Sequence, residues 1–292
     1  MNDEAGPPPP TDARRAPPGL TLAATPIGAA RDVTLRTLDL LATADVIAAE
    51  DTRTARHLMD IHGVPLAGRR LVACHDHSGE AVIRRLVDEM AEGRSVLYVS
   101  EAGTPLVSDP GYALARAAIA RGVPVTAAPG PSALLAALAV AGLPADRFLF
   151  VGFLPTAEAA RRTEIATLAA IPATLVLYES PKRLPALLAA LAEGLGDREA
   201  AVCRELTKRF EEVRRGRLPD LAKAHAGEEV RGEVVVVIGP GAPPAAAEDE
   251  VKERLREAMT TMRLKDAATA VAGALGLPRQ QVYRLALGLK DP

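Results

Sequence analysis

The sequence predicts an α/β protein with two α/β domains followed by a small helical extension, and three observations carry that expectation. Short apolar runs alternate with helical patterns over most of the 292 residues. Gly and Pro cluster directly after several of those runs. A Gly/Pro/Ala stretch at 239–247 (GPGAPPAAA) separates this region from a last segment that is helical in pattern throughout. A domain holds roughly 100–200 residues, which fits two.

Residues 1–19 are Pro-rich, lack an apolar core segment, and are expected to be a disordered tail rather than a signal peptide. Residues 20–25, 46–49, 95–99 and 123–127 read as strands. Within 79–91, Val82, Ile83, Leu86, Val87 and Met90 recur at helical spacing. This alternation predicts a mostly parallel sheet covered on both faces, filling 20–142. Gly142-Leu143-Pro144 closes the first domain. The second, 143–240, has strand candidates at 148–153, 173–178, 200–203 and 233–238, with helices at about 157–169 and 182–193. Val234 to Ile238 is uniformly β-branched and is expected at the centre of its sheet. The charged run 204–217 reads as a strand or hairpin near a surface. After a linker at 241–247, the extension at 248–292 holds helices at about 264–275 and 279–288. Gly276-Leu277-Pro278 lies between them, a layout compatible with a helix-turn-helix or with a small packing cap.

Composition narrows the function. Aromatics are 3% and Trp is absent, which argues against a surface that stacks many bases on rings. The two cysteines, Cys74 and Cys203, lie far apart without metal-ligand spacing, so reduced thiols and a cytoplasmic location are expected. No run of 18 apolar residues exists to span a membrane. The formal charge of −2 is unlike a basic nucleic-acid binder. Residues 204–217, however, carry six basic and three acidic side chains, and Arg161-Arg162 and Lys182-Arg183 add basic pairs. These read either as solvated faces or as local phosphate contacts.

The most informative motif is 100–111, SEAGTPLVSDPG, directly after an apolar strand. Open α/β sheets bind ligands where strands end. Gly103 and Gly111 permit special backbone shapes, and Ser100, Thr104, Ser108, Glu101 and Asp109 offer polar groups. Thr25-Pro26-Ile27-Gly28 and Pro129-Gly130-Pro131-Ser132-Ala133 follow two other strands, with Pro131 expected in the first turn of a helix. Three such loops on one rim point to a shared small-molecule site. Glu50-Asp51-Thr52-Arg53 also follows a strand. It reads equally as an acid/base pair with a phosphate-holding Arg53 or as an acidic helix N-terminus. His75-Asp76-His77 lacks a third ligand and reads as a polar loop rather than a metal site. Tyr178–Arg183 and Arg204–Lys208 end strands with paired charges. They form either an ion-pair network or a face of the cleft.

The ordered blocks LAATPIG, AAEDTR, SEAGTPLVSDPGY, PGPSA, GLPADRFLFVGFLP, YESPKRL, RELTKRFEE and GEVVVVIG resemble small-subunit ribosomal RNA methyltransferases of the tetrapyrrole-methylase-like family, from about Leu20 to the C-terminus. The resemblance implies two α/β domains with a cleft for S-adenosylmethionine between them, no metal, and a homodimer. It also implies 2′-O-methylation of one cytidine in the decoding centre of 16S ribosomal RNA. By motif it assigns cofactor contacts to Pro26, Ser100, Glu101, Thr104, Ser132, Ala133, Tyr178 and Thr207. Glu101 stands where the family usually has Asp, and Ala29 where it usually has Asn. Glu50, Asp51 and Lys208 are candidate proton acceptors, in no fixed order. Two other readings stay open: methylation of a tetrapyrrole ring carbon, and a non-catalytic nucleic-acid-binding protein. Cofactor binding separates the second from an enzyme.

Overall fold

Apolar side chains at alternate positions build two sheets. The computed structural model describes residues 15–75, 78–241, 248–275 and 277–290. Most of the Pro-rich tail, Asp76 and His77, the linker at 242–247 and Gly276 lie outside them. The first sheet contains β1 (Gly19–Ala23), β2 (Val46–Ala49), β3 (Arg70–Ala73), β4 (Ser95–Val99) and β5 (Val125–Ala128), in the order β3-β2-β4-β1-β5. Every pairing is parallel. Ile47, Ala49, Leu97 and Val99 face a core shared with α1 (Leu35–Thr43) and α2 (Thr52–Ile61). Val46, Ala48, Val96 and Tyr98 face α3 (Glu80–Ala91) and α4 (Tyr112–Ala120) on the other side. The two-residue strand period thus divides each central strand between two cores. The edge strand β3 was not expected. Its four residues, RLVA, are too few to show a pattern, and none is fully buried.

The second sheet contains β6 (Phe148–Phe153), β7 (Thr174–Glu179), β8 (Glu199–Arg204), β9 (Glu212–Arg217) and β10 (Val234–Ile238), in the order β6-β7-β10-β8-β9. Only β6 and β7 run parallel; the other pairs are antiparallel. β10 is central and fully buried, as its β-branched run required. One face packs on α6 (Glu158–Leu168), α7 (Leu184–Leu195) and α8 (Leu218–Ala224). On the other face Val176, Ala201, Cys203, Val235 and Val237 pack on α5 (Ala133–Ala141). That helix precedes the break at Gly142, yet it packs on the second sheet and ties the halves together. Its C-terminal carbonyl at Val140 accepts from the Arg215 guanidinium, with Nε at 3.1 Å. A cation is favourable at a helix C-terminus. The charged run 204–217 resolves into a turn and β9, which completes an antiparallel pair with β8.

The extension has three helices, α9 (Glu248–Met259), α10 (Leu264–Leu275) and α11 (Arg279–Lys290). Only the last two were expected individually. In the mostly charged α9, Val251 and Leu255 are buried in the core beside Val271 and Val282, and Ala258 and Met259 pack partly buried against it. This core contains no residue from either sheet. No helix among the described residues is long and apolar enough to cross a membrane.

Candidate active site

β1, β2, β4 and β5 are parallel, so the loops at their carboxyl ends meet on one edge. Thr25 and Gly103 exchange main-chain hydrogen bonds of 2.9 and 3.0 Å. The Thr104 hydroxyl donates to the Pro131 carbonyl at 2.9 Å. The Glu101 amide donates to Glu50 Oε2 at 3.0 Å. One hydrogen-bonded rim therefore joins all four loops. Its approach to the second sheet depends on Gly28. A Cβ there would lie 2.5 Å from Lys208 Cγ and 2.7 Å from Thr207 Oγ1, and the Ala29 amide donates to Thr207 Oγ1 at 3.0 Å. Five non-glycine residues among those described have positive φ; Leu106, Ser108, Glu205 and Thr207 fall in the two loops that meet here. Such conformations cost about 1–3 kcal/mol each and gather at functional sites.

Between the rim and the second sheet lies a cavity of about 220 Å³. Thr104, Ser132, Ala133 and Tyr178 line it. Ser132 is the N-cap of α5, so Pro131 precedes the helix rather than sitting in its first turn. The Tyr178 hydroxyl accepts from the Leu134 amide at 3.0 Å, and its ring meets Phe150 and Phe153 edge-on at 4.9 and 5.8 Å.

The other seven sequence-predicted residues, Pro26, Ser100, Glu101, Thr207, Glu50, Asp51 and Lys208, are not among the lining residues. Ser100 is buried and donates to the Gly103 carbonyl at 3.1 Å, shaping the loop. The Glu101 side chain is exposed; the carboxylate that collects a loop amide belongs to Glu50. Asp51 caps α2, accepting from the Arg53 amide at 2.7 Å and pairing with the Arg53 guanidinium at 2.6 Å. These bonds pull its pKa down to about 2, which makes it a poor proton acceptor. Burial by itself lowers the Lys208 pKa, but bonds to Glu233 at 2.9 Å and Glu205 at 3.0 Å override it and hold the amine protonated. These partners speak against Asp51 and Lys208 as proton acceptors. His75 lies in the loop after β3, where its amide donates to the Ser78 hydroxyl at 2.9 Å.

The cavity adds residues that were not assigned to the site from sequence: Ile27, Val107, Asp109, Glu179, Leu206 and Glu233. None of its lining residues is Lys or Arg. Burial, reinforced by the Glu50 carboxylate, pushes the Asp109 pKa up to about 7. Glu179 is buried; its Oε1 accepts from the Ser180 amide at 2.7 Å, and the Arg183 guanidinium lies 3.1 Å from Oε2. Cys203 also lines the cavity, and burial raises its thiol to about 11. The sequence held a signal for all six: Ile27, Val107 and Asp109 sit in the rim loops already singled out, Glu179 and Leu206 in the charged strand ends 178–183 and 204–208, and Glu233 in the block GEVVVVIG.

The fold and this cleft define a methylase of the tetrapyrrole type. The tetrapyrrole (corrin/porphyrin) methylase family matches residues 19–222, and an RsmI C-terminal HTH domain matches 245–290. Among solved structures, the uroporphyrin-III-C-methyltransferase from Thermus thermophilus is 25% identical, with a TM-score of 0.54 over 75% of this chain and 93% of that chain. Diphthine synthase, 20% identical with a TM-score of 0.58 over 75% of this chain and 89% of that one, shares the fold. The ribosomal RNA small subunit methyltransferase I of Mesorhizobium japonicum is 46% identical, covering 96% of this chain and 95% of that protein. Its namesake from Mycobacterium tuberculosis is also 46% identical, over 90% of this chain and 93% of that protein. The chain belongs to the ribosomal RNA small subunit methyltransferase I family.

Proposed function

We propose that this chain moves the methyl group of S-adenosylmethionine to the ribose 2′-oxygen of one cytidine in the decoding centre of 16S ribosomal RNA, as a cytoplasmic homodimer. The observation that carries the reading is the cleft between the two sheets in a chain 46% identical over nearly its full length to a ribosomal RNA methyltransferase.

The cleft fits the cofactor. S-adenosylmethionine is cationic at sulfur and at its amino group. The lining supplies Asp109, Glu179 and Glu233 and no basic side chain, beside apolar Ile27, Val107 and Leu206. Thr104, Ser132, Ala133 and Tyr178 are the direct contacts in this reading. Pro26, Ser100, Glu101 and Thr207 belong to the loops that shape the wall, and Glu50 braces them. When bound, the cofactor supplies a methyl group already activated on a sulfonium. The chain's task is to align a ribose hydroxyl behind that methyl and exclude water, and such positioning is worth roughly 7–11 kcal/mol. Arg279, Gln280 and Arg284 on or beside α11 are the contacts proposed for RNA. Exposed apolar side chains such as Tyr112 and Ile119 on α4 and Leu135 on α5 offer apolar surface to a second copy of the chain.

Incubation with labelled cofactor and small ribosomal subunits, followed by nuclease digestion and mass spectrometry, tests the reading. The expected product is 2′-O-methylcytidine. A methyl group on a base, or transfer only to a tetrapyrrole, would contradict it.

A further inference from the structure

We propose that Asp109 is the proton acceptor of the transfer, with Glu50 as the positioning residue behind it. The inference rests on the reading of the chain as a ribose methyltransferase. Three carboxylates line the cavity, and two are already committed. Glu179 is held by the Ser180 amide and the Arg183 guanidinium. Glu233 pairs with Lys208 at 2.9 Å and is largely exposed. Asp109 alone among the lining carboxylates has no cationic partner among the described residues. It ends the rim loop, close to the Ser132 and Tyr178 wall.

Its surroundings make it basic. Burial acts first, then the Glu50 carboxylate; the Ser100 hydroxyl opposes, and Glu101 adds a smaller repulsion. Tyr178 faces it, and its own proton is held more tightly by burial and, in smaller part, by the Asp109 charge. Glu50 cannot swing away freely, because its Oε2 accepts the Glu101 amide. An acid of pKa near the working pH is the efficient choice for general-base catalysis.

The step balances. A lone pair of the ribose oxygen forms the new bond to the methyl carbon. The methyl–sulfur bond breaks and leaves its electron pair on sulfur, giving a neutral thioether. The hydroxyl proton passes to the Asp109 carboxylate, and from there to solvent after release.

The test compares wild type, Asp109→Asn and Glu50→Gln in single-turnover methyl transfer to small subunits across pH 5–9, with calorimetry of cofactor binding on each. Wild type is expected to rise through a midpoint near 7 and level off above it. Because Asp109 is one of the carboxylates offered to the cationic cofactor, Asp109→Asn is expected to bind cofactor up to about tenfold more weakly, and at saturating cofactor to transfer on the order of 10²–10³-fold more slowly, without the inflection. Glu50→Gln is expected to move the midpoint to lower pH. Carbon NMR of the Asp109 carboxyl in the wild-type protein gives an independent readout, with a midpoint near 7 rather than in the ordinary carboxylate range. An Asp109→Asn protein with near-wild-type rate, an unchanged pH profile, or lost cofactor binding overturns the inference, as does an ordinary NMR midpoint. A wild-type protein that methylates no RNA overturns the proposed function instead, and this inference with it.

Discussion

Gly28 shows how one missing side chain sets the distance between the two halves. The methyl of Gly28→Ala meets Lys208 Cγ, Thr207 Oγ1 and the Leu206 carbonyl at 2.5, 2.7 and 3.1 Å. The lysine cannot give way freely, because its ammonium is tied to two glutamates. Overpacking of this kind costs about 1–3 kcal/mol; a lower urea midpoint together with weaker cofactor binding by calorimetry is the expected result. Glu101→Ala is expected to leave cofactor affinity unchanged, since that side chain faces solvent. The departure from the family's Asp is thus a surface change, and the same calorimetric titration checks it. Asp109 has a stability consequence apart from catalysis. Its folded pKa of about 7 lies above the ordinary 3.8, so the folded state binds the proton more tightly than the unfolded chain. That contribution is complete below pH 3.8 and is lost as pH rises through about 7. Asn cannot titrate, so Asp109→Asn should melt above wild type at pH 8 and the difference should shrink toward pH 4.

At the scale of elements, the C-terminal helices are the most separable part. Their core draws on Val251, Leu255, Val271 and Val282 and on nothing from the sheets. Deleting 248–292 is expected to leave a folded body that binds cofactor with unchanged affinity and methylates small subunits poorly. Calorimetry and the methylation assay on the truncated chain check both halves of that statement. Full activity after truncation would remove RNA contact from the role of α10 and α11. The same scale shows where a sequence speaks clearly. β10 announced itself as central because all five residues are apolar and β-branched. β3 and α9 did not, because an edge strand and a charged helix bury too few side chains to leave a period in the sequence.

For the whole molecule, the exposed apolar side chains of Tyr112, Ile119 and Leu135 lead to a further expectation. Sedimentation equilibrium should give twice the 30.5 kDa chain mass. An Ile119→Asp variant should shift the protein toward monomer while keeping its far-UV spectrum, because Ile119 is 65% exposed and a charge there costs the fold little. A wild-type protein that sediments as a monomer at micromolar concentration would remove the homodimer from the proposal.

By itself the sequence determined the α/β class, the parallel first sheet, the central place of β10 and the loops that form the rim. These follow from patterns repeated within one element, which local periodicity and turn chemistry record directly. Tertiary structure alone decided the antiparallel pairings of the second sheet and the packing of α5 across the halves. It also decided the division of labour among carboxylates. Glu50, Asp51 and Glu101 sit just beyond strand ends and Asp109 closes the loop between β4 and α4, yet the four look alike in one dimension. What separates them is their surroundings: Asp51 beside a guanidinium, Glu101 in solvent, Glu50 on an amide, and Asp109 on a cavity wall near another negative charge. Asp51 meets its guanidinium two residues away, whereas the desolvation and charge–charge energies of Glu50, Glu101 and Asp109 depend on distances that exist only once the loops after β2 and β4 have come together in the fold.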